Sequence, residues 1–291
     1  MLALYAKAGG VPRYVFRRAE RSMVYHKDSE IIIEEAFEHV LFSLKQVKNF
    51  DDLILCFIED AYFIQYSSRL IHQWPDPYYN HYRLQWASRY IYDKIEEKLE
   101  KQAWSSLLEQ IQKMKEYPSA RGIMFEMYVI HLFRFDDDTF HMRQLFERPN
   151  NSKNKPKFRK VSMGKPQTTF IRIAEELSTK GDGMIILPET PNFGAADLLY
   201  MPDMIFQVTV SKNHPIKQTE LVRIVENMPA YKRGKPVNLV FVVPDEIFDD
   251  YEYQDIVTKD KESKSFRKVR KLDNRLKNMQ QWVLKIDIFL Y

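Results

Sequence analysis

The chain has 291 residues, of which 45% are hydrophobic and 14% are aromatic, and its formal net charge is +4. A chain of this length and composition is predicted to form a packed globular protein with room for two domains. The mild positive charge permits a polyanionic partner without requiring one. Cys56 is the single cysteine, so the chain cannot form an internal disulfide. The sequence contains no apolar run of about 18 residues, so no membrane span is predicted.

The first part of the chain, residues 15–117, is predicted to be helical. Ser29 is predicted to cap a helix over 30–47, which has Glu near its start and Lys near its end, as the helix dipole prefers. A second helix is expected over 51–71, before a cluster of Trp and Pro residues that ends it. The segment 82–117 has amphipathic spacing and opposite charges four residues apart, so it predicts one long or two shorter helices.

A helix that is apolar almost all round is predicted over 120–133, with Ser119 as its N-cap. Glu126 lies in one helical stripe with Ile130 and other apolar residues, so its side chain is predicted to point inward. A buried Glu is rare unless it is paired or bound to a metal. Glu126 is therefore either bonded to an Arg or a backbone group, or an acidic metal ligand. His131 is expected to be a half-buried structural residue rather than a base.

Strands are predicted on either side of a loose, basic loop within the segment 139–188. The loop, residues 149–167, has a low apolar content, and we expect it to be mobile. It is either a solvated loop or a segment that contacts nucleic-acid phosphates. Its basic residues are Lys153, Lys155, Lys157, Arg159, Lys160 and Lys165.

Two short apolar runs flank Pro202 and Asp203, and this combination predicts a β-hairpin with its turn near Pro202. In such a hairpin Asp197 lies opposite Gln207. Side chains alternate between faces along a strand, so Gln207 and Thr209 share the face that Asp197 reaches across the ladder. Three oxygen-bearing side chains on one face of an apolar hairpin are typical of a site for a hard cation such as Mg²⁺.

The last part of the chain alternates between apolar and charged segments. The sequence predicts an amphipathic helix over 216–231, a buried strand at the centre of a sheet over 238–244, and a closing strand over 281–289. The segment 244–257 is expected to be an acidic surface connection. Nine Lys or Arg and three acids between 259 and 277 predict a phosphate-tracking stripe, a nuclear import signal or a charged helix face. The residues of this segment expected to bind nucleic acid are Arg267, Lys268, Arg270 and Lys271.

The hairpin resembles the core of the PD-(D/E)XK, or restriction-endonuclease-like, superfamily. In that superfamily an Asp ends one strand, and a Glu or Gln and then a Lys lie two residues apart on the next. Asp197 and Gln207 match the first two positions, whereas Thr209 occupies the Lys position. The resemblance implies that Asp197, Gln207 and Glu126, from the preceding helix, hold Mg²⁺ or Mn²⁺. Lys217 is the residue expected to replace the missing Lys. Lys212 is nearer in the sequence, but it is predicted on the opposite face of the strand.

Four words in the sequence further resemble the nuclease-like domain of Crinkler effectors and of the related retrotransposon hot spot proteins. The words are SARGIMFEMYVIHLF at 119–133, IFQVTVSKNHPIK at 205–217, LVFVVP at 239–244 and WVLKIDIF at 282–289. The resemblance implies an α+β protein with two domains. Residues 1–117 would form a helical module, and residues 118–291 a restriction-endonuclease-like αβββαβ domain with a central mixed sheet.

The string from Gly9 to Val15 has two interpretations. By itself, a diglycine before Pro12 predicts a turn that opens a helix. The string also resembles the GGVPRYV word near the end of the P-loop NTPase module that precedes the nuclease-like domain in this family. The resemblance implies that the N-terminal module is a winged-helix-like lid, with Arg13 on its nucleotide side. The sequence contains no Gly-rich phosphate loop, so a shortened family member or a fragment is expected rather than a working ATPase.

The resemblance implies two alternative functions. The first is Mg²⁺-dependent cleavage of nucleic-acid phosphodiesters, with DNA as the expected substrate, by the C-terminal domain of a virulence or symbiosis effector. The second is a catalytically silent domain that binds DNA or a host nuclear protein, because Thr209 supplies no positive charge. Members of the family act in the nucleus, often that of a host, and their secretion segment is not found in this sequence. The sequence alone leaves open whether the protein is an enzyme.

Overall fold

The protein divides into two units, the first up to Met124 and the second from Phe125. The computed structural model describes residues 2–48, 68–75, 82–99, 104–147, 156–189, 193–259 and 266–288. The division falls inside the helix Pro118–Phe135, whereas the domain boundary predicted from the sequence lies just before this helix. The architecture combines helices with a large mixed sheet, which agrees with the predicted α+β class.

The described part of the N-terminal unit combines α-helices with one antiparallel hairpin. The helices are α1 (Leu2–Ala8), α2 (Arg18–Met23), α3 (Ser29–Gln46), α4 (Arg89–Leu99) and α5 (Trp104–Lys113), and the strands are β1 (Ile71–Pro75) and β2 (Tyr82–Trp86). A π-helical segment, Arg13–Arg17, leads into α2. Helical backbone starts at Pro12, so the turn predicted at the diglycine is confirmed.

Gly9 has a packing role that accounts for the first glycine of the pair. Its φ of +72° lies in the left-handed region, and its amide ends α1 by donating to the Tyr5 carbonyl at 2.9 Å. A Cβ at this position would overlap the carbonyl oxygen of Ala87 and lie 2.9 Å from the His72 ring. Only glycine therefore satisfies both the backbone conformation and the close approach of the Ala87 backbone.

The helix predicted over 82–117 is wrong at its start, because residues 82–86 form β2 and α4 begins only at Arg89. The register of the hairpin pairs Ile71 with Trp86, and both side chains are buried. Aromatic and β-branched residues favour a strand once a partner strand is present, and helical periodicity in one segment does not show that partner.

For two further predicted helices in this unit, the structure describes only the end of one and shows a different cap for the other. The helix predicted over 51–71 lies largely outside the described residues, as does Cys56, and its last residue belongs to β1. The cap of α3 is Asp28 rather than Ser29, because the Asp28 carboxylate accepts a hydrogen bond from the Glu30 amide at 2.8 Å. Asp and Ser are similarly good caps, so the sequence pattern alone leaves a choice between neighbours.

The C-terminal unit is built on strands, with helices on the faces of the sheet. The helices are α6 (Pro118–Phe135, whose first turns lie in the N-terminal unit), α7 (Gln218–Val225), α8 (Pro229–Lys232) and α9 (Asp245–Phe248). The strands are β3 (Thr139–Leu145), β4 (Phe158–Ser162), β5 (Thr168–Ile171), β6 (Ile185–Pro188), β7 (Leu198–Tyr200), β8 (Met204–Val208), β9 (Ile216–Lys217), β10 (Asn238–Pro244), β11 (Ile256–Lys259), β12 (Phe266–Lys268) and β13 (Gln280–Ile286). Ser119 lies inside α6 and is not its cap, since α6 begins at Pro118, whose fixed φ suits a first helical position.

Eight strands form one mixed sheet in the order β4-β3-β13-β10-β8-β7-β6-β5, and β9, β11 and β12 form a separate small sheet. All seven residues of β10 are buried, and β10 runs parallel to both of its neighbours, β8 and β13. The predicted strand at the centre of the sheet is therefore confirmed. The predicted last strand is also present as β13, but it lies inside the sheet, between β10 and β3, and not at an edge.

Three charged segments differ from the predictions. The loop predicted over 149–167 contains β4, which pairs antiparallel with β3 at the edge of the sheet, while residues 148–155 lie outside the described ranges. The acidic connection over 244–257 carries core side chains such as Tyr251, which is 1% exposed. The described part of the basic segment over 259–277 contains β12 and a short 3₁₀ turn instead of a charged helix face. Each of these segments is held by long-range contacts that its composition does not reveal.

Candidate functional site

The hairpin predicted around the Pro-Asp turn is present as β7 and β8. These strands pair antiparallel, with Leu198 opposite Phe206. One further step in this register places Asp197 opposite Gln207, and the Asp197 amide donates to the Phe206 carbonyl at 2.9 Å. The predicted juxtaposition of Asp197 and Gln207 is therefore confirmed.

The Asp197 carboxylate and the Gln207 amide form a hydrogen-bonded pair at the end of the hairpin. Asp197 Oδ2 accepts hydrogen bonds from Gln207 Nε2 and from the Val208 amide, each at 2.6 Å. Gln207 is 5% exposed, and its Oε1 atom is buried without a hydrogen-bond partner in the described structure. An unpaired buried carbonyl costs about 1–3 kcal/mol. This oxygen is therefore available to accept a hydrogen bond from a ligand or to coordinate a cation.

Thr209, at the position of the superfamily's Lys, lies just beyond β8. It is 6% exposed, and its hydroxyl oxygen accepts a hydrogen bond from the Ser211 amide at 3.1 Å. Its own amide donates to the Val242 carbonyl at 3.0 Å. Thr209 therefore shapes the turn after β8 and brings no positive charge to the Asp197–Gln207 pair.

Glu126 lies on a helix that covers the other face of the sheet from Gln207. The ring of Phe133 in α6 lies 5.1 Å from the ring of Phe206, so α6 packs on the Phe206 face of β8. Successive side chains of a strand point to opposite faces, which directs Gln207 away from α6. Glu126 precedes Phe133 by about two helical turns, points to the same side of α6 and is half-buried rather than fully buried. The structure thus does not bring Glu126 to the pair on the Gln207 side.

The face that carries Gln207 is covered by α7. Leu221 of α7 lies in one hydrophobic core with Ile205 and Phe241, and Gln207 is the cross-strand neighbour of Phe241. The connection from β8 to β10 must return the chain from the carboxyl end of β8 to the amino end of β10, because these two strands are parallel. The first turn of α7 therefore lies at the carboxyl end of β8, where Gln207 is found.

Glu220, in this first turn, is a residue that the sequence analysis missed. Its Oε1 atom lies 3.0 Å from Lys217 Nζ, while its Oε2 atom is buried without a hydrogen-bond partner in the described structure. A Cβ placed on Gly194 would lie 2.5 Å from Glu220 Oε2. The carboxylate therefore rests against the loop that leads into Asp197. An acid in the first turn of a helix is common, since it complements the helix dipole, so its position in the sequence gave no signal.

The two lysines considered as replacements have different surroundings. Lys217 ends β9, directly before α7 rather than on it, and its Nζ atom lies 5.5 Å from the ring of Phe266 as well as beside Glu220. Lys212 lies in the turn after β8 and pairs with Asp250 at 2.9 Å. Of the two, only Lys217 is connected through its contacts to the loop before Asp197.

Two aromatic side chains complete this face of the sheet. The rings of His214 and Tyr251 lie 6.5 Å and 5.5 Å from the ring of Phe241, respectively. Burial raises the pKa of the Tyr251 hydroxyl far above its ordinary value, so it keeps its proton at all physiological pH values. The half-buried position expected for His131 is confirmed on the opposite face, where burial and then Arg134 lower its pKa to about 4.

The donor atoms at Asp197 and Gln207 fit a divalent cation that keeps most of its water. Within the described ranges, no three His, Cys, Asp or Glu side chains form a metal-binding group. Mg²⁺ is commonly held by one or two carboxylates, with water and substrate phosphates supplying the other ligands. One carboxylate beside a buried and unpaired carbonyl oxygen meets this minimal requirement.

The basic residues predicted to contact nucleic acid include exposed side chains and one side chain that packs against the sheet. Lys160 on β4 and Lys157, just before β4, are exposed, whereas Arg159 turns inward, with its guanidinium 4.9 Å from the Trp282 ring and Nε 3.3 Å from Met142 Sδ. Arg159 is therefore engaged with the sheet, because alternation along β4 directs it inward, and its contact with nucleic acid stays a prediction. The remaining predicted residues are Arg267, Lys268, Arg270 and Lys271, which are exposed, and Lys155, which lies outside the described ranges.

Lys268 is exposed but already has acidic partners. Its Nζ atom lies 2.7 Å from Asp255 and 3.1 Å from Glu147. These carboxylates, and mainly the hydrogen bond to Asp255, raise the pKa of Lys268. A phosphate would have to compete with both carboxylates for this side chain, which lowers the contribution that Lys268 can make to an interface.

A comparison of the chain with protein-family models, with curated proteins and with solved structures finds no match. The resemblance to the nuclease-like family therefore depends on the four sequence words and on the arrangement of the hairpin. In the part of the chain that the structure describes, no helix is both long and apolar enough to cross a membrane.

Proposed function

We propose that the C-terminal unit is a nuclease-like domain of the Crinkler and retrotransposon hot spot kind, which cleaves nucleic-acid phosphodiesters with Mg²⁺ or Mn²⁺. DNA is the proposed substrate, and the nucleus of a host cell is the proposed place of action. The order of elements supports this proposal: α6 comes first, then the antiparallel meander β6-β7-β8, then α7, and then β10 parallel to β8. This order is compatible with the αβββαβ core of the superfamily, with β3, β4 and β5 added after α6 and β9 added before α7.

The observation that carries the proposal is the buried, unpaired Oε1 atom of Gln207 beside the Asp197 carboxylate. A buried polar atom without a partner is rare in folded proteins and often marks a functional site. Asp197 and Gln207 are the residues that would hold the cation. When bound, a divalent cation polarises a phosphate and lowers the pKa of an attacking water. The protein would supply two oxygen ligands, and Lys217 would offset negative charge from its position beside Glu220.

A second candidate function is favoured by Thr209. Its hydroxyl is engaged with the Ser211 amide, and it leaves the Lys position of the motif without a charge. Loss of one such electrostatic contact typically lowers a rate on the order of a hundredfold to a thousandfold. In this candidate the domain binds DNA or a host nuclear protein through its exposed basic residues and does not cleave its ligand.

Cleavage of supercoiled plasmid and of single-stranded DNA and RNA, with and without Mn²⁺ or Mg²⁺, separates the two candidates. Asp197→Asn is the informative variant, because it removes the charge and keeps an oxygen that can accept from Gln207. Asp250→Asn, at an exposed acid that pairs with Lys212, is the matched control. Metal-dependent nicking that persists in the control and is lost in Asp197→Asn supports the nuclease.

The reverse outcome is equally clear. If the wild type and Asp197→Asn show the same background cleavage, and both still shift DNA in a gel, the nuclease proposal is wrong and the binding module stands. If instead the wild type is active, Lys217→Met is a further informative variant. A fall in rate with unchanged DNA affinity would assign the relocated positive charge to Lys217, since methionine keeps the length of the side chain.

A further inference from the structure

Glu220 shares an end and a face of the sheet with the Asp197–Gln207 pair. Asp197 stands opposite Gln207 near the carboxyl end of β8, and α7 starts at that same end. The course of the chain agrees with this placement, because the Ala230 amide of α8 donates to the Pro202 carbonyl at the other end of β8, at 3.2 Å. The helices thus run back along the strand, with Glu220 in the first turn above the pair.

The Glu220 carboxylate has one oxygen in use and one without a partner in the described structure. Lys217 satisfies Oε1 at 3.0 Å, and the side chain as a whole is only 26% exposed. The other oxygen, Oε2, is buried against Gly194, three residues before Asp197 in the chain. An ion pair with Lys217 alone explains Oε1 but leaves the burial of Oε2 without a physical reason.

A second, independent observation at the same place points to a ligand. Gln207 is 5% exposed, its Nε2 atom donates to Asp197, and among the described residues its buried Oε1 atom has no hydrogen-bond partner. Two buried oxygens without donors in the described part of the chain, on residues at one end of one face, form the kind of environment that a hard cation satisfies.

We infer that Glu220 is the second carboxylate of the divalent-cation site at Asp197 and Gln207, in place of Glu126. This inference rests on the proposed function and names a ligand of the same site. Lys217 is then a positioning residue, which holds Glu220 by one oxygen and directs the other toward the loop before Asp197. The ligand class is a hard divalent cation, Mg²⁺ or Mn²⁺, bound through carboxylate and amide oxygens.

Direct Mn²⁺ binding tests the inference without relying on catalysis. The free Mn²⁺ concentration is measured by electron paramagnetic resonance during a titration of the full chain. We expect Glu220→Gln to weaken Mn²⁺ binding by at least about tenfold, since the number of charged ligands sets cation affinity. Glu126→Gln and the exposed Glu175→Gln are the matched controls, and both are expected to bind Mn²⁺ as the wild type does.

Gly194→Ala provides a test that keeps every charge. Gly194 does not have a left-handed backbone, so alanine fits its conformation, but the new Cβ would lie 2.5 Å from Glu220 Oε2 and displace that carboxylate. We expect a folded protein with weaker Mn²⁺ binding. Gly181→Ala is the control, since its Cβ would make only an ordinary contact, 3.6 Å from Met184 Sδ. In a Glu220→Ala background, Gly194→Ala should cause no further loss, because the displaced group is gone.

The outcomes separate this inference from the function on which it rests. If Asp197→Asn abolishes Mn²⁺ binding while Glu220→Gln and Gly194→Ala leave it unchanged, the metal site stands and the assignment of Glu220 is overturned. If the wild type binds no Mn²⁺, or Asp197→Asn binds it as tightly as the wild type, both the site and the assignment are overturned. If Glu220→Gln does not fold, the comparison of Gly194→Ala with Gly181→Ala decides.

Discussion

The two units of the chain differ in how their apolar side chains are buried. In the C-terminal unit every residue of β10 is buried, and helices α6 and α7 pack on opposite faces of the sheet. In the N-terminal unit Leu2, Val24 and Tyr25 are 87%, 76% and 81% exposed. The comparison indicates that the described part of the N-terminal unit leaves more large apolar side chains exposed than the C-terminal unit does. Its buried core, which includes Phe37 and Val40, is accompanied by close backbone contacts such as the approach of Gly9 to Ala87.

The largest effect is expected for truncation of a core aromatic residue in the C-terminal unit. Phe206 is fully buried and contacts the Phe133 ring, so Phe206→Ala should lower the free energy of unfolding by about 3–5 kcal/mol. Phe16→Ala is the matched variant in the N-terminal unit, where the side chain is 52% exposed, and its effect should stay within about 0.5 kcal/mol. Denaturant unfolding, with amide hydrogen exchange to assign the unit, measures both. Equal losses of unfolding free energy in the two variants would contradict the difference in burial between the two units.

A single close contact in the N-terminal unit is expected to have the next largest effect. Gly9→Ala places a Cβ on the Ala87 carbonyl and forces a left-handed backbone, so it should destabilise this unit by about 3 kcal/mol or more. Gly234→Ala isolates the backbone term, because Gly234 has a φ of +69° but open space around its Cβ position, and it should cost about 1–2 kcal/mol. Hydrogen exchange in α1 and β2 reports the first. Similar costs for the two variants would show that the Ala87 contact is unimportant.

The two units also differ in how many of their strands could be predicted from local sequence signals. The hairpin of β7 and β8 and the central strand β10 were predicted from local signals: a Pro-Asp turn between apolar runs, and a continuous apolar run. The hairpin of β1 and β2 was missed, because its strands are recognised only when Ile71 and Trp86 are paired.

The candidate site was predictable only in part, for a related reason. Asp197 and Gln207 lie in one hairpin, so the turn fixed their pairing. Glu126 was predicted on an apolar stripe of its helix, and Phe133, about two turns further along the same stripe, does pack on the sheet. The stripe does not reveal which face of the sheet the helix covers. Glu220 was missed because its contact with Gly194, which is distant in the sequence, leaves no local signal.

Titration of His131 provides a smaller, pH-dependent test of the C-terminal core. Burial, and then Arg134, lower the pKa of His131 from 6.5 to about 4. The unfolded chain therefore binds more protons than the folded chain between these values. The stabilisation is fully present above pH 6.5 and is lost as the pH falls through about 4. The shift corresponds to about 3 kcal/mol, and because His131 is only half-buried, screening by solvent reduces the expected total to about 2 kcal/mol.

His131→Phe is the variant that isolates this contribution. It keeps a ring beside Phe135, which lies 4.9 Å from the His131 ring, and removes the titrating group. The free energy of unfolding of the variant should fall less steeply than that of the wild type between pH 6.5 and 4. The buried His72 of the N-terminal unit titrates equally in both proteins, so it cancels in the difference. Parallel pH profiles would show that burial does not hold His131 neutral.

The smallest effect is expected on the edge strand β4, where two neighbouring basic residues face opposite ways. Lys160 is exposed, so Lys160→Ala should weaken DNA binding severalfold and reduce the slope of log affinity against log salt by about 1. Arg159 stacks on Trp282 at 4.9 Å, so Arg159→Ala should leave the salt slope unchanged and lower the free energy of unfolding by about 1–2 kcal/mol. Fluorescence anisotropy over a salt series, together with denaturant unfolding, measures both properties. A reduced salt slope in Arg159→Ala would mean that this guanidinium leaves the core to meet phosphate, and that the edge of the sheet rearranges when nucleic acid binds.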